Sequence, residues 1–177
     1  MPHTRDYLPQ MPVRKRSQAR MLALQALCLF DAIGDEFADG LDEFLRDPLV
    51  YEDLGFEASP PADALDFARG LALGTWEHRA RYDELLERQA AHWTVTRMPP
   101  VDRNILRLGL HELHQRDAAR PPQVVINEAV ELARRFADAD SPAFVNGVLD
   151  SIRRNLENEG DCGPADGPEQ GGSRTEH

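Results

Sequence analysis

Residues 121–156 read PPQVVINEAVELARRFADADSPAFVNGVLDSIRRNL and decide the fold class. Apolar residues recur there at spacings of three and four, and the strict apolar/polar alternation that is typical of strands is absent. Two prolines open the stretch and suit a first helical turn. Ser141 and Pro142 supply an N-cap and a first helical position for the second half, whose apolar stripe ends at Leu156. The stretch therefore predicts two consecutive amphipathic helices.

The same spacing continues towards the N-terminus and predicts an all-α protein. Residues 101–116 place apolar side chains on one broad buried face. A longer pattern runs from Ala62 to about Trp93, and Thr75 is placed to cap a new helix within it. The first helix is expected to begin near Ser17. Four glycines fall inside these helices, where we expect close helix packing to require them: Gly70, Gly74, Gly109 and Gly147.

An acidic segment, residues 31–63, interrupts the helical pattern, and Arg46 is its only basic residue. A short helix is expected at Leu41–Arg46, and the rest is expected to be loop that ends at Pro60-Pro61. A second proline pair, Pro99-Pro100, breaks the pattern again and marks a boundary between two lobes. The predicted organisation is a flexible N-terminus at 1–13, a helical domain at 14–157 with lobes at about 14–95 and 99–157, and a disordered acidic tail at 158–177.

The net charge of this 177-residue chain is −11, yet its positive charge is gathered at one end. Residues 1–20 hold five basic residues and one acidic residue, whereas residues 157–177 hold one basic and six acidic residues. A nucleic-acid contact should therefore be local. The N-terminus lacks the apolar core of a signal peptide, and no run of about eighteen apolar residues occurs, so a cytoplasmic protein is expected.

No arrangement of residues in the sequence predicts catalysis. Acidic residues are not paired with a histidine or serine as in a nucleophilic site, and no glycine-rich phosphate loop occurs, so neither an enzyme nor a cofactor is expected. His111 and His114 have a spacing that suits a metal ion, but no further ligand cluster supports one. With Arg103 and Arg107 they line one helical face, for which solvent exposure is slightly favoured over a binding role.

The stretch VRKRSQARMLALQALCLFD, residues 13–31, places cations at the start of the first helix. A helix N-terminus already carries partial positive charge, so these cations are unfavourable there unless an anion is bound. The same end of a helix suits phosphate. Charge alone leaves two interpretations equally open: an ordinary solvated tail, or a site for RNA phosphates formed by Arg14, Lys15, Arg16 and Arg20.

An aromatic residue at the edge of a buried face is a second candidate for RNA contact. Phe144 lies beside the main apolar stripe of the last helix, close to the acidic turn that ends at Asp140. A ring in this position is able to stack on a base, an interaction of about 1–3 kcal/mol. The alternative is a ring folded back into the core, which is somewhat favoured when this residue is considered alone.

Three blocks of sequence follow one another in a recognisable order: ARMLALQALCLFD at 19–31, HWTVTRMPPVDRNILRLGLHEL at 92–113 and VVINEAVELARRFADADSPAFVNGVLDSI at 124–152. In order and spacing they resemble the NusB transcription antitermination family. The resemblance covers most of the chain from about residue 14 to 157. It implies an all-helical fold of two three-helix bundles packed side by side, which matches the boundary at Pro99-Pro100.

The resemblance also implies a function. NusB-like proteins bind the boxA sequence of nascent ribosomal RNA transcripts together with NusE, a ribosomal small-subunit protein, and help RNA polymerase read through terminators. The basic end would then bind RNA, and the acidic body would suit a basic ribosomal partner. By position, the family's RNA contacts correspond to Arg14, Lys15, Arg16, Arg20, Asp140 and Phe144, and its NusE-facing region corresponds to Asp102 and Cys28.

Three positions depart from the residues that are usual in the family. Tyrosine is usual where this chain has Cys28 and His111, and glycine is frequent at Ala137. Because Cys28 lacks the aromatic hydroxyl, we expect RNA binding to be better retained than NusE binding.

Two other functions remain open from the sequence. One is a NusB-like adaptor module in ribosomal RNA maturation, of the kind fused to cytosine methyltransferases. Only a short Gly- and Pro-rich tail follows the helices here, which counts against it. The other is a helical adaptor that binds proteins alone, which would leave the basic cluster of the first helix without a purpose.

Overall fold

All regular secondary structure in the described part of the chain is helical. The structure, a computed structural model, describes residues 13–89 and 94–160, and within those ranges it contains no strand. The predicted all-α fold is confirmed. Within the described ranges the α-helices are α1 (Val13–Ile33), α2 (Leu41–Leu45), α3 (Pro48–Asp53), α4 (Ala62–Glu77), α5 (Arg79–Gln89), α6 (Pro100–Gln115), α7 (Pro122–Phe136) and α8 (Ser141–Gly160).

The acidic segment after α1 is more regular than its sequence predicts. Helix α2 confirms the short helix expected at Leu41–Arg46, but the remainder is not all loop, because it also contains a 3₁₀ helix at Asp35–Gly40 and the helix α3. Local chemistry explains where α3 begins. The Asp47 carboxylate accepts a hydrogen bond from the backbone N–H of Leu49 at 2.9 Å, and Pro48 occupies the first turn.

Two helix boundaries differ from those predicted near the N-terminus. Helix α1 begins at Val13 rather than near Ser17, and the Ser17 hydroxyl instead donates to the Glu128 carboxylate at 3.0 Å. Thr75 does not cap a new helix, because it is buried inside α4 and the break comes at His78.

The remaining boundaries agree with the proline and serine signals. Helix α6 begins within the pair Pro99-Pro100, and α8 begins at Ser141. Helix α8 continues to Gly160, so the first residues of the predicted tail are helical. Three stretches that bear on the predictions lie outside the described residues: the N-terminus up to residue 12, which was predicted to be flexible, the end of the pattern that runs to Trp93, and the tail from residue 161.

Helix α6 occupies the centre of the molecule and packs against α1, α4, α5, α7 and α8. Helix α1 packs most extensively against α4, and α7 against α8. A single hydrophobic core joins residues of both halves, for example Leu24, Leu71, Leu106 and Leu149. The division into lobes at 14–95 and 99–157 stays a prediction. Of the helices in the described ranges, none is long and apolar enough to cross a membrane.

Two of the four helical glycines are required by close packing. A Cβ atom at Gly109 would lie 2.8 Å from Cδ1 of Leu149, and one at Gly74 would lie 2.6 Å from the ring of His111. The packing prediction is confirmed at these two positions, where α6 approaches α8 and α4. It is wrong for Gly70 and Gly147, which have open space where a Cβ would project.

Candidate nucleic-acid interface

Three cations occupy the first turn of α1: Arg14, Lys15 and Arg16, here termed the first-turn cations. Arg14 is exposed, and the other two are half-buried. No acidic residue lies in this turn. Their charges therefore add to the positive end of the helix dipole, and the turn has the electrostatic character of an anion-binding site.

The surroundings of the first-turn cations neutralise one of them. Nη2 of Arg14 lies 3.2 Å from Oε2 of Glu57, and both side chains are largely exposed. Nη1 of Arg16 donates to the carbonyl oxygen of Ala119 at 3.3 Å, and Arg16 forms no ion pair within the described ranges, although its charge helps to lower the pKa of the nearby Asp117. Lys15 forms no ion pair within the described ranges. Two of the three charges thus remain available to an anion.

Arg20 lies one turn further along α1 in a different environment. Its side chain is only 3% exposed, and Nε and Nη2 donate hydrogen bonds of 2.9 Å to the two carboxylate oxygens of Glu112. Nη1 lies 3.8 Å from the Glu128 carboxylate. A bidentate pair of this kind fixes the orientation of both side chains. It also leaves the Arg20 guanidinium little surface that a phosphate could reach.

The Glu112 carboxylate is shared by a second arginine. Arg120 donates from Nη1 to Glu112 at 3.1 Å and from Nε to Asp117 at 3.0 Å. The ring of Phe67 lies beside both guanidinium groups, 5.8 Å from Arg20 and 5.1 Å from Arg120. We term Arg20, Glu112 and Arg120 the Glu112 cluster. It ties α1 to α6 and to the loop between α6 and α7, and so holds the first turn of α1 against that loop.

The α6–α7 loop is organised around Asp117. Its carboxylate accepts a hydrogen bond of 2.9 Å from the backbone N–H of Ala119. This bond, together with the hydrogen bond and charge of Arg120, lowers the pKa of Asp117 below its usual value. Asp117 is therefore ionised at neutral pH, and the loop that Arg16 contacts is internally braced.

A groove of about 440 Å³ separates the start of α1 from the later turns of α7. On the α1 side it is lined by Ser17 and Met21. The α7 side is lined by Glu128, Glu131, Leu132, Arg134 and Arg135.

Asp140 and Phe144 lie together at the start of α8. Asp140 is exposed, and its backbone carbonyl accepts the N–H of Phe144 at 3.3 Å. Phe144 is half-buried and packs against the hydrophobic core. The ring is therefore partly packed into the core, as one interpretation predicts, and partly accessible for stacking on a base, as the other predicts.

The two predicted NusE-facing residues lie on α1 and at the start of α6. Cys28 is half-buried with its Sγ 3.9 Å from Nδ2 of Asn104, and burial raises the pKa of its thiol. Asp102 is only 8% exposed in the first turn of α6. Its Oδ1 is buried without a hydrogen-bond partner among the described residues. Since Asp102 and Asn104 are two positions apart on a helix, they face different sides of α6.

The polar face of α6 is not solvated, so that expectation is wrong for its arginines. Arg107 is 5% exposed and donates from Nε and Nη2 to the Asp83 carboxylate at 2.7 Å. Arg103 donates to Asp31, which also lies 3.5 Å from Arg107. Burial alone would raise the pKa of Asp31, but these arginines lower it. The acidic partners come from α1 and α5, so this stretch of sequence does not reveal them.

The histidines of the same face are also enclosed. His111 is 6% exposed, and its Nδ1 lies 2.9 Å from the hydroxyl of Tyr82. Burial, and to a lesser degree the nearby His78, lowers the pKa of His111 to about 4, so the ring is neutral at pH 7. Burial also lowers the pKa of His114. Within residues 13–89 and 94–160, no group of three or more His, Cys, Asp or Glu side chains is placed to hold a metal ion.

Sequence reasoning missed the residues that position the first-turn cations. Glu112 carried a usable signal, because a carboxylate between Leu110 and Leu113 in a buried face requires a charged partner. Glu57 and Ala119 carried none. They contact Arg14 and Arg16 across 43 and 103 residues of sequence, and only the tertiary fold brings them together.

Comparison with known proteins gives consistent matches over most of the chain. The model of the NusB family matches residues 17–154. The transcription antitermination protein NusB of Solibacter usitatus is 41% identical over 141 residues, which cover 80% of this chain and 90% of that protein.

Solved structures are similar as well. The structure of T. maritima NusB is 33% identical and covers 78% of this chain and 90% of its own, with a TM-score of 0.64. A crystal structure of the antitermination factors NusB and NusE in complex with double-stranded RNA covers 81% of this chain and 98% of its own. Its TM-score is 0.65 at 28% identity.

Proposed function

The chain belongs to the NusB family, and on this basis we propose that it is a transcription antitermination factor. It binds the boxA sequence of ribosomal RNA transcripts together with NusE and promotes read-through by RNA polymerase. Its relatives are named as antitermination proteins, and one solved complex joins NusB and NusE to RNA. One observation on this chain carries the proposal: Lys15 and Arg16 lack an ion-pair partner in the described ranges although the net charge is −11.

The proposed RNA surface has two parts, one at the start of α1 and one at the start of α8. The first-turn cations bind phosphates through their charge. Arg20 does not contact the RNA itself; its pair with Glu112 orients the helical turn that carries these cations. At the far part, the exposed Asp140 carboxylate accepts hydrogen bonds from base amino groups or ribose hydroxyls, and Phe144 stacks on a base.

NusE is assigned to the surface formed near the start of α6. Asp102 lies in the first turn of α6 and Cys28 on α1, and the acidic body of the protein is complementary in charge to a basic ribosomal protein. The factor acts on nascent transcripts in the cytoplasm, without catalysis of its own. The alternative is a NusB-like adaptor for RNA and protein in ribosomal RNA maturation, which would use the same surfaces.

The experiment is a binding titration with three RNAs: single-stranded boxA, a scrambled strand of equal length, and a double-stranded form of boxA, each with and without NusE. Replacing Arg14, Lys15 and Arg16 together by glutamine removes about three phosphate contacts. We expect the slope of log K against log[salt] on single-stranded boxA to become shallower by about 2. The matched control replaces the exposed Arg46, Arg88 and Arg97 by glutamine, which changes the net charge equally and should leave the slope unchanged.

Three results would count against the proposal. Equal binding of boxA and scrambled RNA, with NusE present, would contradict a boxA-specific factor. An equal fall in slope for both triple variants would show that overall charge, rather than the start of α1, attracts RNA. Preference for the double-stranded form would contradict the recognition of single-stranded boxA.

A further inference from the structure

A cavity of about 730 Å³ lies next to the α6–α7 loop, and none of the predicted RNA-binding residues lines it. It is enclosed by the α6–α7 loop and by the last turns of α8. Leu113, Pro121 and Leu156 give it apolar walls, and Arg116 and Asn158 contribute polar groups. Its volume falls within the range of about 300–1,000 Å³ that is typical of sites for small molecules or single chemical groups.

Arg116 differs from the other charged residues of the cavity lining because it has no ion-pair partner in the described ranges. Three carboxylates contribute to the lining, and each is paired with an arginine: Glu112 and Asp117 with Arg120, and Glu157 with Arg153. Arg116 is exposed and forms no ion pair within the described ranges. The lining thus carries three arginines and three carboxylates, and Arg116 is the arginine among them that forms no ion pair within the described ranges.

The backbone of Arg116 is also unusual. It follows α6 with φ 45° and ψ 40°, and it is the one non-glycine residue of the described ranges with a positive φ. This left-handed conformation at the end of a helix strongly favours glycine. An arginine here keeps a strained backbone, as is common where a side chain has a binding role.

The cavity is continuous with the start of α1 through the α6–α7 loop. Asp117 and Ala118 form part of its wall, and the next residue, Ala119, accepts the hydrogen bond from Arg16. A strand of RNA bound to the first-turn cations would meet this loop directly. The next positive charge on the loop that is free of an acidic partner is that of Arg116.

We propose that this cavity is a second RNA subsite, which receives one unstacked base from a nucleotide that flanks boxA and holds its phosphate on Arg116. Unstacked bases of single-stranded RNA bind apolar walls and arginine planes in this manner. The inference rests on the proposed function, since it requires the first-turn cations to hold the neighbouring nucleotides. It adds a contact outside boxA, through a loop that the sequence did not single out.

The test compares boxA RNA alone with boxA extended by several nucleotides on each side. Arg116→Gln should weaken the extended RNA by about fivefold or more and make its salt slope shallower by about 0.7, with little effect on boxA alone. The control is Arg97→Gln, an exposed arginine without an ion pair in the described ranges. It lies beyond the opposite end of α6, about 24 Å away along a helix of 16 residues, and should change neither RNA.

Two further variants separate binding from folding. Arg116→Gly relieves the positive φ, so we expect an equal or higher melting temperature together with weaker binding of the extended RNA. Ala118→Trp places a large ring at the exposed cavity wall and should weaken the extended RNA in the same way, with all arginines retained.

The possible failures are distinguishable. If Arg116→Gln binds the extended RNA as tightly as wild type, the subsite is overturned while the boxA surface stands. If the variant weakens both RNAs equally, Arg116 belongs to the boxA surface and a separate subsite is again overturned. If wild type binds neither RNA, with or without NusE, the proposed function fails and the subsite fails with it.

Discussion

Two turns of the same helix use arginine in opposite ways. Arg14, in the first turn of α1, has a side chain 72% exposed and one exposed acidic neighbour, whereas Arg20 is 3% exposed and is held by Glu112 through two hydrogen bonds. Only six positions separate them. Positive charge that is continuous in the sequence is thus divided by the fold into a part that meets solvent and a part that holds the helix in place.

The physical basis of this division is the cost of burying charge. Removing an ion from water costs several kcal/mol, and a buried arginine is stable only where a carboxylate and further hydrogen bonds replace the lost hydration. Glu112 meets that need for Arg20 and Arg120 together. The first-turn cations are exposed or only half-buried and keep part of their hydration, so they can exchange water for phosphate at a lower cost than Arg20. Exposure, rather than charge alone, separates a binding arginine from a structural one.

The largest expected effect on stability comes from disrupting the buried pair of Arg20 with Glu112. Glu112→Gln keeps the shape of the side chain but removes the carboxylate charge from the buried pair with Arg20, whose remaining acidic neighbour, Glu128, lies 3.8 Å away. We expect the free energy of unfolding to fall by about 3–5 kcal/mol, as for other buried pairs that lose one member. Urea denaturation measures this directly. A loss below about 1 kcal/mol would show that water or Glu128 can replace Glu112, and that Arg20 is less structural than its geometry indicates.

A second prediction concerns His111, the residue before Glu112, which is buried as a neutral group. Its pKa is lowered to about 4 in the folded protein, because burial and the neighbouring His78 disfavour the charged ring, and it is about 6.5 in an unfolded chain. The unfolded state therefore binds more protons between these values. Stability should be fully present above pH 6.5 and fall as the pH drops towards 4, by roughly 3 kcal/mol from this group.

The variant His111→Gln isolates this contribution, because glutamine is polar but does not titrate. Wild type and variant should be compared as free energies of unfolding at several pH values between 7 and 4. Carboxylates such as Asp31 titrate in both proteins, so the difference between the two curves belongs to His111. Parallel curves would mean that folding does not shift the pKa of His111, and that its burial does not act as described.

Sequence reasoning reached the helices and the exposed cations because both follow from local patterns. Apolar spacing predicts α6, α7 and α8, the proline and serine signals mark where α6 and α8 begin, and Lys15 and Arg16 are recognisable as charge at a helix start. The division between Arg16 and Arg20 depends on Ala119 and Glu112, which lie 103 and 92 residues away. No local rule contains such contacts.

The absence of long-range contacts from local patterns also explains two residues or faces that were expected to be exposed or to cap a helix but are buried. The face of α6 that includes Arg107 and His111 is polar in sequence and was expected to meet solvent, yet Asp83 and Tyr82 of α5 cover it. Thr75 has the chemistry of a cap but lies in the interior of α4. In both cases a side chain suited to the surface is enclosed by a neighbouring element, and tertiary packing overrides the local preference.

The smallest expected effect tests the exposed side of the comparison. Glu57 is the acidic partner of Arg14, and with side chains 82% and 72% exposed the pair contributes little to stability. Glu57→Gln should leave the melting temperature unchanged but strengthen boxA binding roughly twofold to threefold at low salt, because the phosphate no longer competes with a carboxylate for Arg14. The gain should disappear as salt screens these exposed charges. Weaker binding instead would mean that Glu57 orients Arg14 for RNA, as Glu112 orients Arg20, and the distinction between the two turns would then be one of degree.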